Sequence, residues 1–456
     1  MRNMFLPVVL LVAVTSLHAA DESTDRSIHE HTLKNGLKIL VKEDHRAPVA
    51  ISQVWYKVGA ADESSGTTGV SHVLEHMMFK GTECVPEGRF SAIIARQGGR
   101  ENAFTSRDYT GYYQLLEKSR LPIAFRLEAD RMRNLELKEE AFLKELEVVK
   151  EERRLRTDDS PRALAYEQLY ATAFHNAPYH HPVIGWMEDL DHLKLEDLKD
   201  WYRHWYAPNN ATLVVVGDVD PEAVFRMAEG AFGGLEPGPV PQGKPRLEPP
   251  QKGERRAVVR APARLPYLVI GYRAPILGTA GEDWEPYALQ VLSGVLDGGR
   301  SSRFSSRLIR DEEVAASAGA GYSLYGRYDG LFLLNGIPAQ GRTVDELEQA
   351  IDAQIAKIRQ EPIDKDELAR VKAQVIAGEI FGLDSISSQA NLIGAVETVG
   401  LGWRIIDEYV ERIKSVTPEQ VSEVARRYLR SDGKVVVRVD PLPLGQQSET
   451  PDEVRS

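Results

Sequence analysis

The 456-residue sequence contains one cysteine, Cys84, so no disulfide can form within the chain. Stability must come from a packed core. Beyond the first twenty residues no apolar run is long enough to cross a bilayer, and no low-complexity tract interrupts the chain. Positive charge is in short supply: 56 Lys and Arg against 68 Asp and Glu leave a formal charge of −12. That balance argues against a nucleic acid or an anionic membrane as partner. The 42% hydrophobic and 8% aromatic content is that of an ordinary globular protein, long enough for two domains of about 200 residues.

The amino terminus reads as a secretory signal. Met1-Arg2-Asn3 is a short basic start, and Met4 to Val14 is apolar but too short for a permanent span. Leu17-His18-Ala19-Ala20 offers small residues for cleavage after Ala19 or Ala20. The mature protein is expected to be exported, most simply to a bacterial periplasm.

The chain repeats itself once. A helix-like stretch, Tyr206, the run Thr212-Leu213-Val214-Val215-Val216 and Asp218 recur as a helix-like stretch, Tyr428, Lys434-Val435-Val436-Val437 and Asp440. Both anchor pairs, Tyr206 with Tyr428 and Asp218 with Asp440, are 222 residues apart, which favours duplication. Between the copies, Glu236 to Glu254 carries six prolines and several glycines and reads as an extended linker. The expected layout is a signal at 1–20, a first domain at 21–235, a linker at 236–254, a second domain at 255–445 and a tail at 446–456. Strand-like runs alternate with long helical ones in both halves, so the fold class is α+β, with two similar α/β domains.

The chemistry concentrates in His72-Val73-Leu74-Glu75-His76. On a helix, His72 and His76 stack one turn apart and Glu75 faces the same way. Two imidazoles so placed can bind one metal ion, and the carboxylate can reach a water beside it. Val73, Leu74, Met77 and Met78 fall on the other faces, as anchors in a core. Gly66 and Thr68 mark an expected helix start and Gly81 a stop. The order His-x-x-Glu-His is the inverzincin pattern; the competing reading is a chance pattern on a solvated helix.

Catalytic zinc usually takes three protein ligands, so a third is expected elsewhere. Lys138 to Arg156 lacks Gly and Pro and predicts a helix with Phe142, Leu146 and Val149 as its apolar stripe. Glu145 and Glu152, seven residues apart, lie nearly in register on one flank, while Glu151 points to solvent. Carboxylates beside an apolar face are costly unless something binds them. Glu152 is the candidate ligand; Glu145 reads equally as a supporting group or as a charged helix edge. Cys84, alone in a loop, is more simply a neutral residue than a ligand.

His72-x-x-Glu75-His76 followed by Glu152 resembles the pitrilysin or insulinase (M16) family of zinc metallopeptidases, in particular the two-domain processing-peptidase type. Gly98-Gly99-x-x-Asn102-Ala103-x-Thr105, His181-Pro182-Val183-Ile184-Gly185, Tyr206-Ala207-Pro208-Asn209-Asn210 and Gly298-Gly299-x-Ser301-Ser302-Arg303 extend the likeness from about Ile28 to Asp440. The resemblance implies one Zn²⁺ per chain held by His72, His76 and Glu152, with Glu75 as general base and Glu145 in support. It implies two homologous domains closing like a clam shell on a peptide. The strand around Asn102, Ala103 and Phe104 would take that peptide by strand addition.

One feature departs from the family. Its second domain carries an arginine and, seven residues on, a tyrosine that complete substrate binding. Arg310 matches the first, but the tyrosine position falls at Ala316 or Ser317. This points to a heterodimer with a homologous exported subunit that supplies the missing contact. A homodimer is the next expectation, and a monomer in which Tyr322 or Tyr325 fills the gap is the third. The activity expected is zinc-dependent endopeptidase action on unfolded peptides or oligopeptides; the alternative is a non-catalytic assembly or chaperone-like subunit. A small quorum-signal lyase shares His-x-x-Glu-His but needs a cysteine ligand and is far shorter.

Overall fold

Continuous Val, Ile and Leu runs build two mixed sheets. The computed structural model describes residues 27–443, apart from 242 and 245. The expected signal segment at 1–20 and tail at 446–456 lie outside the described residues. The first sheet contains β1 (Ile28–Thr32), β2 (Lys38–Glu43), β3 (Val49–Tyr56), β4 (Arg100–Thr105), β5 (Thr110–Glu117) and β6 (Ala211–Gly217), in the order β1-β2-β6-β3-β5-β4. The second contains β7 (Arg255–Pro262), β8 (Tyr267–Ala274), β9 (Ala315–Gly321), β10 (Gly330–Pro338) and β11 (Lys434–Leu442), in the order β7-β11-β8-β10-β9. Strands β6 and β11 run between neighbours on both sides, which is why their sequences are apolar without alternation.

The two sheets share one design. Leaving out β1, the first sheet reads β2-β6-β3-β5-β4, and each strand has its counterpart in β7-β11-β8-β10-β9. Among the described residues, the parallel pairs are equivalent: β2 with β6 and β7 with β11. The repeat seen at Tyr206 and Tyr428 is therefore a repeat of a whole topology. Each sheet backs on its own helical layer and core.

The opposite faces are covered by exchange. Helix Pro161–Ala173, from the first half, lays Ala165, Leu169 and Ala173 on Val269, Val435, Val437 and Val439 of the second sheet. Helix Ile386–Thr398, from the second half, lays Ala390 and Ile393 on Leu40, Ile51, Trp55, Val214 and Val216 of the first. Each sheet is thus buried on both faces only when the other half is present. Arg327 adds a polar clasp, bidentate on Asp62 at 2.7 and 2.9 Å and reaching Asp108 at 3.2 Å.

The described part of the proline-rich segment has no regular secondary structure and is tied to both halves. Its Glu248 carboxylate accepts the amides of His175, Asn176 and Ala177. Among the described residues, no helix is long and apolar enough to cross a membrane.

Candidate metal centre and peptide cleft

The short helix Val70–Met77 carries the His-x-x-Glu-His motif. Val70, Val73, Leu74 and Met77 are buried in the first core, which leaves His72, Glu75 and His76 on the remaining face. The helix begins later than Gly66 and Thr68 suggest, after Gly69 at φ 90°. Thr68 is used otherwise, its hydroxyl bonding Asp189 and accepting the Trp186 amide. The helix start is closed by Glu63, whose carboxylate accepts the amides of Gly69 at 2.8 Å and Ser71 at 2.9 Å. The two oxygens take up orphan N–H groups of the helix start, while burial pushes the Glu63 carboxyl up to about 8.

Helix Glu139–Arg153 packs beside it through Phe142, Leu146 and Val149, all buried, and then widens into a π-type turn over Arg154–Asp158. Its register turns Glu145 and Glu152 toward the histidines, while Glu151 is exposed and pairs with Arg154. Glu152 Oε2 lies 3.4 Å from His76 Nε2 and 3.9 Å from His72 Nε2. The ligating atoms of His72, His76 and Glu152 all fall within 4.8 Å of one another. With zinc bonds of about 2.0–2.1 Å in tetrahedral geometry, donor atoms should stand roughly 3.4 Å apart. The donor set and its spacing fit a zinc ion. It is the one such group among the described residues. Cys84 is exposed and is not in it.

The surroundings fix the protonation states a metal needs. Glu145 Oε2 stands 3.2 Å from His76 Nδ1, and its other oxygen takes Lys80 Nζ at 2.5 Å. The proton of His76 is therefore held on Nδ1, leaving Nε2 free as a donor to the metal. Burial, above all, pushes the His72 imidazole down to about 3, so it stays neutral. Glu75 accepts the Thr105 hydroxyl at 2.5 Å, and burial raises its carboxyl above the usual range. Arg156 pairs with the free oxygen of Glu152.

These groups open on a cavity of about 700 Å³ whose lining comes entirely from the first half. One wall is β4, including Asn102, Ala103, Phe104 and Thr105. β4 is the last strand of its sheet, paired on one side only. The Ala103 amide is capped by the Asn102 side chain at 2.9 Å. An edge strand of this kind is a template for an extended peptide.

Arg310 is not brought to this cavity. It is exposed on the second half, donating to the Arg300 carbonyl at 2.7 Å. Tyr322 is also engaged elsewhere, its hydroxyl donating to the Pro275 carbonyl, and neither it nor Tyr325 lines the cavity. Sequence reasoning missed Glu63, Lys80, Arg107 and the partner of Glu75, Thr105. Lys80 follows His76 by one turn and could have been found by register, and Glu63 stands six residues before Gly69; Thr105 and Arg107 meet the site only through tertiary packing.

Comparison with known proteins gives the class. Residues 38–185 match the family model for insulinase (peptidase family M16), and residues 192–375 match the model for the peptidase M16 inactive domain. The chain is 33% identical to zinc protease PqqE of Helicobacter pylori over 96% of this chain and 98% of that protein. It is 27% identical to the mitochondrial-processing peptidase subunit beta of Lentinula edodes, over 87% of this chain and 86% of that protein. The crystal structure of a protease from Helicobacter pylori superposes with a TM-score of 0.84 at 31% identity, covering 91% of this chain and all of that one. The periplasmic protease PqqL from Escherichia coli shares the fold, with a TM-score of 0.77 at 18% identity over 92% of this chain and 48% of that one. The chain belongs to the M16, or insulinase, family of peptidases.

Proposed function

We propose that the chain is an exported zinc-dependent endopeptidase that hydrolyses unfolded or oligopeptide substrates in the periplasm. The observation that carries this reading is the convergence of His72, His76 and Glu152 beside Glu75 and an open strand edge in one cavity. His72, His76 and Glu152 would hold one zinc ion. When bound, zinc polarises the scissile carbonyl and lowers the pKa of water toward about 7.

The chain's own groups supply the rest. β4 lays the peptide out beside the motif helix and selects extended backbone over folded structure. Glu75 takes the proton of the attacking water and returns it to the departing amine nitrogen. Its raised pKa suits both transfers. Thr105 keeps the Glu75 carboxylate aimed into the cavity. Glu145 holds the His76 ring through Nδ1.

The test separates metal from proton transfer. Glu75→Gln should keep its zinc by elemental analysis and lose about 10²–10⁴-fold in turnover of a quenched fluorescent peptide. His76→Ala should lose both. Full zinc content in a His72→Ala/His76→Ala double variant would overturn the ligand assignment. Absence of turnover in wild type, with zinc bound and partner present, would favour a non-catalytic assembly role.

A further inference from the structure

We propose that Arg107 is a specificity-determining residue of the cleft, the receptor for a carboxylate on the peptide. The proposal rests on the peptidase reading of the same cavity. Arg107 lies in the turn between β4 and β5, two residues beyond the strand edge that would bind the substrate backbone, and it lines the cavity. Its backbone is pinned: the amides of Ala60 and Ala61 donate to the carbonyls of Ser106 at 3.1 Å and Arg107 at 2.7 Å.

The side chain is held without a counter-charge. Its guanidinium carbon sits 3.9 Å from the centre of the Tyr170 ring and 5.6 Å from that of Tyr179. Among the described residues it makes no ion pair, and its Nε is buried with no hydrogen-bond partner. Four carboxylates of the surrounding elements are bound by other arginines. Asp108, the next residue, and Asp62 are both taken by Arg327 from the second half. Glu167, in the cavity wall, is held by Arg153 at 2.8 and 3.0 Å, and Glu152 by Arg156.

A half-buried cation in this state is uncompensated, and its desolvation favours any anion that can reach it. The aromatic platform fixes the plane of the guanidinium, and that planar fork matches a carboxylate in two parallel hydrogen bonds. The ligand chemistry is therefore a carboxylate. It comes from an Asp or Glu side chain inside the peptide, or from the carboxylate at the peptide's own C-terminus.

Three labelled peptide sets distinguish the sources: acidic side chain with an amidated end, the Asn or Gln isostere with an amidated end, and the isostere with a free end. Binding is read by fluorescence anisotropy on the zinc-loaded Glu75→Gln chain, in the assembly in which it purifies, and cleavage on the unsubstituted protein. One of the two carboxylate sets should bind about 10–100-fold tighter than the amidated isostere. Arg107→Met, which keeps the stacked bulk, should bring that ratio to about one. Arg107→Lys, which keeps the charge and loses the fork, should leave it between the two, and serves if the methionine variant does not fold. Equal binding of all three sets, or a ratio unchanged by either substitution, overturns the proposal. Cleavage without acid preference also removes the subsite and leaves the peptidase. Arg107-dependent acid preference in a protein that cleaves nothing removes the peptidase and leaves the subsite.

Discussion

Glu145 and Glu152 have the same side chain and the same helical flank, and their roles differ by what each carboxylate meets. Glu152 faces the Nε2 atoms of both histidines, whereas Glu145 meets His76 from behind, at Nδ1, and is anchored by Lys80. Replacing Glu145 with Gln removes the charge that orients His76. Zinc affinity, measured by competition with a chelator, should fall about 10–100-fold while the fold persists. His181, in the cavity wall but not among the metal ligands, gives a second residue-scale test. It is 3% exposed, and burial holds its imidazole down to about 4 against an ordinary value of 6.5. Its neutral form contributes fully above pH 6.5, and that contribution is lost as pH falls toward 4. From pH 7.5 to pH 5 the stability margin of wild type over His181→Gln, from urea unfolding, should shrink by about 2 kcal/mol.

At the scale of elements, the exchanged helices are the joint of the molecule. Helix Ile386–Thr398 approaches the first sheet so closely that a Cβ at Gly394 would fall inside the Trp55 indole. Trp55 cannot retreat: it is buried, hydrogen-bonded to Gln53 at 2.8 Å and packed edge-on against Phe104 and Tyr109. Phe104 belongs to β4, so strain at this contact reaches the cleft wall. Gly394→Ala should cost about 1–3 kcal/mol by overpacking and lower the melting temperature of the whole chain, not of one half. A calorimetric trace that splits into two transitions would show that the halves do not depend on each other as their shared clusters indicate.

For the whole molecule, the asymmetry between the halves is the main fact. The first supplies every lining residue of the cavity; the second shares its topology, yet among the described residues holds no second metal group, and its Arg310 lies on an exposed surface. The second half adds no residue to this cleft, and a second chain facing it would complete the enclosure. We therefore expect the protein, purified from its host, to have a native mass above that of one chain, through a homologous subunit without His-x-x-Glu-His. A second copy of this chain is the next expectation. Full peptidase activity in a monodisperse monomer would rule both out.

The sequence by itself determined what depends on local geometry. The ring spacing of His72 and His76, the placement of Glu145 and Glu152 on one flank, the outward turn of Glu151 and the buried stripe of Phe142, Leu146 and Val149 all follow from the 100° step of a helix. The duplication was legible too, because Tyr206 with Tyr428 and Asp218 with Asp440 keep one offset of 222 residues. Only the tertiary structure decided what lies opposite. No periodicity announces that Thr105 aims Glu75, or that Arg327 takes both Asp62 and Asp108. Nor does it show that each half lends a helix to the other's sheet. Those contacts join residues distant in sequence, and they are chosen by the burial of two sheets that neither half can cover alone.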